Sequence, residues 1–254
     1  MNMKQIIAID IGNTNIVCGV FHGKRLLKEW RIPTKQCTNV ASCRRLLKRV
    51  VGSPREIQGA ILCSVVPKVT HLFKQAARAD CLSLQIVGET IRCPIRNRYR
   101  KPKEVGQDRL VNAYAAWKRY GAPVIIVDFG TAITVDLVSK KGEYLGGIIA
   151  PGMAISLEAL KEKTALLPKV DLHSPSSLLG RDTKESILSG GFYGFSSLCD
   201  GLISKLRKRY GSRIKAIATG GHSAIISTYC KETNYINPHL TLQGLRLIFE
   251  AAHL

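Results

Sequence analysis

The sequence predicts an α/β protein of two related halves, each built on a mixed sheet. Three observations predict it. First, residues 6–20 (IIAIDIGNTNIVCGV) read as strand, tight turn, strand. The apolar runs are too short for a buried helix and rich in β-branched residues. The turn carries Asp10, Gly12, Asn13, Thr14 and Asn15. Second, residues 124–136 (VIIVDFGTAITVD) repeat the pattern, and superposing Asp10 on Asp128 also superposes Gly12 on Gly130. Third, the first hairpin continues into three antiparallel strands followed by β-α-β elements, a mixed α/β pattern. A lone Asp-x-Gly is ordinary turn chemistry. Two copies, each on a buried strand and each followed by a second strand, point instead to a duplicated unit. Facing each other, two such turns can clamp the ends of a polyphosphate. Their backbone N–H groups and hydroxyls suit phosphate, and the carboxylates suit a cation held directly or through water.

Taken in order, residues 25–32 (RLLKEWRI) alternate as a third strand after a turn at His22-Gly23. Residues 40–51 show helical spacing through Leu46, Leu47 and Val50, and stop at Gly52-Ser53-Pro54. A buried strand over 57–66 closes at Pro67, a helix covers 70–79, and 84–87 form another strand. A helix then begins near Gln107-Asp108-Arg109 and runs to Tyr120, which puts Asp108 at its positive end. By spacing alone, Asp108 is equally well read as a simple cap. Gly121-Ala122-Pro123 marks the boundary between domains 1–120 and 121–254. After the repeat hairpin come a strand over 143–150, a break at Pro151-Gly152 and a helix over 155–163. Residues 168–175 are irregular, and Thr183 caps a long helix to about residue 204, with small residues over 189–194. Small residues inside a helix mark the close approach of another backbone, such as that of a partner subunit. Residues 215–219 form a strand delivering Gly220-Gly221-His222-Ser223, a turn open to a flat group such as adenine or ribose. His222 reads as a loop residue, and a helix over 241–252 ends the chain.

Composition narrows the class. The chain has 254 residues, with 38 Lys and Arg against 18 Asp and Glu, a net charge of +20. That charge is dispersed, although residues 92–103 (RCPIRNRYRKPK) and 205–213 are dense. Neither stretch has the interleaved aromatics of a single-strand binder, so nucleic acid is not expected as a partner, and steering of anionic ligands is. The eight cysteines are scattered with no C-x-x-C pair, against a structural zinc site. No apolar run is long enough to span a bilayer, and the N-terminal run is broken by Asp10, unlike a signal peptide. The expectation is a cytoplasmic protein with reduced, packing cysteines and no membrane partner.

The two Asp-Gly hairpins and the late strand-Gly-Gly turn resemble the actin-like ATPase superfamily that includes hexokinase and acetate kinase. Closer still is the ordered set D-x-G-N-T-N at 10–15, E-V-G-x-D-R at 104–109, D-F-G-T-A at 128–132, G-G-x-I-A-P-G at 146–152 and A-T-G-G at 218–221. Together these resemble the type III pantothenate kinases over essentially the whole chain. The resemblance implies a duplicated ribonuclease-H-like (actin-like ATPase) α/β fold, with two mixed-sheet domains around a cleft. It implies transfer of phosphate from ATP to pantothenate, the first step of coenzyme A synthesis, by a homodimer. In that reading Asp10, Ile11, Gly12, Asn13, Thr14, Asn15, Ile16 and Val17 form the first phosphate loop, and Asp10 helps hold Mg²⁺ with ATP. Thr131 contacts the nucleotide, and Asp128 binds a monovalent cation, K⁺ or NH₄⁺. Tyr99, Gly106, Gln107, Asp108 and Arg109 bind pantothenate, Asp108 is the general base, and Thr183 reaches pantothenate across the dimer interface. The chain departs from the family at Lys101-Pro102, where Asn-Pro is usual, and at Gln107, often alanine. A kinase of the superfamily with another hydroxyl acceptor, or a transcriptional accessory factor, is the alternative reading.

Overall fold

The computed structural model describes residues 4–52 and 56–253. Ser53 and Pro54, read as part of a helix stop, lie outside the described residues. Contacts divide the chain into two units: residues up to Ala115 together with those from Leu240 onward, and Ala116–His239.

In the first unit β1 (Gln5–Ile11), β2 (Asn15–His22) and β3 (Arg25–Pro33) form an antiparallel meander. Helix α1 (Val40–Val51) leads to β4 (Ile57–Ser64), which pairs parallel with β1. Helix α2 (Pro67–Ala79) leads to β5 (Leu84–Ile86), parallel with β4, so the sheet order is β3-β2-β1-β4-β5. A two-residue strand β6 (Arg96–Asn97), not foreseen from the sequence, precedes α3 (Gln107–Tyr120). The central strand explains itself: Ile7, Ala8, Ile9 and Ile11 are fully buried. Each buried Ile contributes roughly 1.5–3 kcal/mol. They pack with Leu47, Leu62 and Phe73 from α1, β4 and α2.

The second unit repeats this plan. Strands β7 (Val124–Phe129), β8 (Ala132–Val138) and β9 (Glu143–Pro151) are an antiparallel meander. Helices α4 (Met153–Lys163) and α5 (Thr183–Tyr210) follow. Then come β10 (Lys215–Thr219), parallel with β7, the short helix α6 (Ser223–Ile226), and β11 (Tyr235–Ile236), parallel with β10. The five strands of this unit run in the order β9-β8-β7-β10-β11, matching the first sheet in order and direction.

Four differences from the sequence reading have plain causes. Pro67 does not merely close a strand; it opens α2, where its missing N–H costs nothing. Asp182, not Thr183, caps α5, its Oδ1 accepting from the Glu185 N–H at 2.9 Å. That helix runs to Tyr210 rather than about residue 204 because the dense basic stretch is itself made of good helix formers. The last helix α7 (Leu240–Ala251) belongs to the first unit, so the observed division falls within α3 rather than at residue 120, and α7 is not part of the second half. Leu242 lies over Gly19 of β2 and Phe249 over Gly59 of β4, covering the first sheet.

Candidate active site

The first acidic hairpin is built by the β1–β2 turn. Asp10 pairs across the sheet with Val17 on one side and Cys63 on the other. The Gly12 N–H donates to the Asn15 carbonyl at 3.0 Å and closes the turn. Thr34, from the 3₁₀ turn Thr34–Gln36 that follows β3, fastens it twice. Its hydroxyl donates to the Gly12 carbonyl at 2.7 Å, and its N–H donates to the Thr14 carbonyl at 2.9 Å. Asn13 and Thr14 are exposed at the tip, whereas Ile11 and Ile16 are fully buried. Those two isoleucines can therefore offer a ligand only their backbone.

Asp10 feels the charge of Asp108 here. Its carboxyl is pushed up to about 7, first by burial and then by the Asp108 charge, with the Cys63 hydrogen bond and Arg31 opposing. The Cys63 thiol donates to Asp10 Oδ1 at 3.3 Å. Burial, then Asp10 and Asp108, hold that thiol well above its ordinary value, so it stays a donor. Asp108 is the second residue of α3, and its Oδ1 accepts the Arg109 N–H at 2.9 Å. A side chain on Gly106 would run into Asp108 Oδ1, so glycine at 106 lets the chain pass beside that carboxylate. Gln107 packs against Gly88, Arg109 is buried, and Tyr99 is half-buried with its N–H donating to Asn97 Oδ1 at 2.9 Å.

The second acidic hairpin stands in the other unit and has its own walls. Asp128 is the topological counterpart of Asp10, pairing with Thr134 on β8 and Thr219 on β10. Gly220 has φ +91°, and a Cβ there would strike Asp128 Oδ1 and the Phe129 backbone. The sequence reading opened this glycine to a flat ligand; its close neighbour is the chain's own hairpin. The His222 N–H donates to the Phe129 carbonyl at 3.1 Å and holds the two turns together. Gly152 lies equally close to the Thr131 carbonyl, which accepts its N–H at 3.2 Å. Thr131 is exposed at the tip of this loop. Thr183 is also exposed and lines a surface cavity of about 550 Å³ with Leu166, Pro168, His173 and its neighbours in α5.

No group of three or more His, Cys, Asp or Glu side chains that could hold a metal ion occurs among the described residues. The residues present suit a different arrangement, in which one or two carboxylates and substrate phosphates share a hard cation. Asp10, lifted by burial and then by the Asp108 charge, is a carboxylate that a cation would help to ionise. Asp128 Oδ1 and the Ala132 carbonyl both flank Gly130 and are hard oxygen donors. Cys63 and Thr34 escaped the sequence reading. Both reach the loop through sheet register or a later turn, and no local pattern marks either.

Two mixed sheets that share a five-strand order, each with an acidic hairpin between its first two strands, define the duplicated ribonuclease-H-like fold of the actin-like ATPases and sugar kinases. Solved structures of that fold align along nearly the whole chain. An ADPNP-bound activator of 2-hydroxyisocaproyl-CoA dehydratase from Clostridium difficile aligns over 98% of this chain and 96% of its own, at 14% identity and TM-score 0.58. A ROK family glucokinase from Streptomyces griseus aligns over 97% and 99%, at 12% identity and TM-score 0.56. The family profile described as type III pantothenate kinase matches residues 6–205. The type III pantothenate kinase of Syntrophobacter fumaroxidans is 42% identical, covering 97% of this chain and 98% of that protein. The chain belongs to the type III pantothenate kinase family.

Proposed function

We infer that the protein transfers the γ-phosphoryl group of ATP to the primary hydroxyl of pantothenate, giving 4′-phosphopantothenate. The observation that carries this is the pairing of Asp10 with Asp108, a phosphate-loop carboxylate beside one at a helix start. Such a transfer asks for positioning and charge neutralisation rather than covalent catalysis. The first loop, fastened by Thr34, offers backbone donors to the phosphates. Asp108 orients the pantothenate hydroxyl and accepts its proton; an ordinary carboxylate suffices, because the proton leaves late. Gly106, with Gln107, Arg109 and Tyr99, would form the pantothenate side. Mg²⁺, when bound with ATP at Asp10, supplies neutralisation of the phosphate charge. Asp128 and the Ala132 carbonyl would hold K⁺ or NH₄⁺.

A homodimer fits the exposed glycines 190, 194 and 201 of α5, whose outer faces meet nothing within 4 Å, whereas Gly191 packs inward on Met153 and Leu157 of the same chain. Thr183, at the start of the same helix, would then serve the partner's pantothenate site. Among the described residues no helix is long and apolar enough to cross a membrane. The deciding experiment supplies ATP, Mg²⁺ and K⁺ with pantothenate and, in parallel, with a set of other hydroxyl acceptors. Phosphorylation of pantothenate well above the others is expected; preference for another acceptor, or none, overturns the reading.

A further inference from the structure

The face of the first sheet that carries Asp10 is poor in donors. Ile7, Ile9 and Ile11 of β1 and Ala60 and Leu62 of β4 enter the core cluster with α1 and α2. Alternation along each strand therefore sends Asp10 and Cys63, which face each other across the pairing, to the opposite side of the sheet. On the other flank of Asp10 stands Val17, whose side chain has nothing to donate. The Cys63 thiol donates to Asp10 Oδ1 at 3.3 Å, and among the described residues no other hydrogen bond reaches that carboxyl. Cys63 is completely buried, so packing holds the sulfur in place. Burial also keeps it protonated, as a donor requires.

The duplication supplies a comparison within the molecule. Thr219 of β10 pairs with Asp128 as Cys63 of β4 pairs with Asp10. Thr219 is also completely buried, and its hydroxyl bonds no protein group. The same register position thus takes a hydroxyl in one sheet and a thiol in the other, and only the thiol is bonded to its acidic neighbour.

We propose that Cys63 is a positioning residue for the magnesium–nucleotide complex: its thiol holds Asp10 by Oδ1 and leaves Oδ2 to the cation. The proposal rests on the reading of Asp10 as the residue that holds Mg²⁺ with ATP. A carboxylate without a partner turns about its last bond, and a cation must fix it on arrival. A hydrogen bond from a packed strand removes that freedom beforehand. A thiol suits the task because it is a weak donor. It sets the orientation while drawing little charge from the oxygen that faces the metal. Removing the hydrogen-bond partner of a ligating carboxylate costs roughly 10–100-fold in metal affinity.

The test titrates a non-hydrolysable ATP analogue into the full-length protein, with Mg²⁺ and without it, for the parent, Cys63→Ala and Cys63→Ser. Should Cys63→Ala not fold, Cys63→Val fills the space without a donor and takes its place. In the Ala variant the gain in affinity brought by Mg²⁺ should shrink roughly 10–100-fold, while Mg²⁺-free affinity stays within about threefold. Cys63→Ser, which keeps a donor, should recover most of that gain. Infrared absorption of the ligand-free parent protein reads the contact itself. The S–H band that disappears in the Cys63 variant should lie at the lower frequency of a hydrogen-bonded thiol, and Asp10→Ala should move it to that of a free one. An unchanged Mg²⁺ effect in the folded Ala or Val variant, equal losses with and without Mg²⁺, a Ser variant no better than Ala, or a free-thiol band in the parent would each overturn the proposal. A parent protein whose nucleotide affinity ignores Mg²⁺ would sink the reading of Asp10 and this role together, whereas the infrared band reports the hydrogen bond independently.

Discussion

Replacing Asp108 by Asn tests the base assignment with little change of shape. Asn can still accept the Arg109 N–H that Asp108 Oδ1 now accepts at 2.9 Å, so α3 should start unchanged. What disappears is the proton acceptor and the negative charge beside Asp10. A positioned general base contributes about 10²–10⁴ in rate, or about 2.7–5.5 kcal/mol of barrier. Turnover with pantothenate should fall by that factor, while affinity for Mg²⁺ and nucleotide stays within about threefold, since the first loop is untouched. Removing the second-largest cause of the Asp10 shift should also leave thermal stability equal or higher at neutral pH. The assay is ADP release coupled to a spectroscopic readout, beside nucleotide titration and a melting curve. Turnover within about threefold of the parent protein would refute the base role. A parallel loss of nucleotide binding and melting temperature would make Asp108 structural.

Three further outcomes follow. In Na⁺-only buffer the rate should be poor and K⁺ should restore it, and Asp128→Asn should abolish that difference; equal rates of the parent protein in the two salts remove Asp128 from the cation role. If Thr183 serves the partner's site, mixing inactive Asp108→Asn and Thr183→Ala subunits should recover part of the activity; no recovery after verified subunit exchange argues against a shared site. Gly220→Ala forces a side chain onto Asp128 and Phe129 at a backbone φ of +91°. The strain is roughly 1–2 kcal/mol before any clash, so a melting temperature lowered by several degrees is expected, and an unchanged one would contradict the observed closeness.

The two hairpins were legible because their apolar runs and D-x-G turns are local signals, and the five-strand order that both units share bears out the duplication they suggested. Asp108 at a helix start was legible for the same reason, since Val105-Gly106 precede a clean helical period. Other features depend on pairings that sequence spacing does not encode. The amphipathic pattern of residues 240–251 says that the helix covers a sheet but not which one, and the chain returns it to the first unit. Asp182 and Thr183 are both good caps, and only the backbone register chose Asp182. Cys63 reaches Asp10 because β4 lies parallel to β1 with those residues opposite each other, 53 positions apart in the chain. Thr34 reaches Gly12 from beyond the third strand. Gly220 read as room for a ligand because a glycine after a strand looks the same whether the close neighbour is a nucleotide or the protein's own hairpin.

The central claim is that Asp10, at the phosphate loop, and Asp108, at a helix start, share one half-buried acidic site, and the titration of the Asp10 carboxyl tests it most directly. Its folded value of about 7 stands above the ordinary 3.8. Its protonated form therefore favours the fold fully at low pH, and that contribution is lost as pH rises through 7. Carbon NMR of the labelled carboxyl should show a midpoint near 7 in ligand-free protein, a lower one in Asp108→Asn, and a carboxyl ionised well below 7 once Mg²⁺ and an ATP analogue are bound. A midpoint near 4 in the ligand-free protein, unmoved by Asp108→Asn or by the nucleotide, would contradict the account.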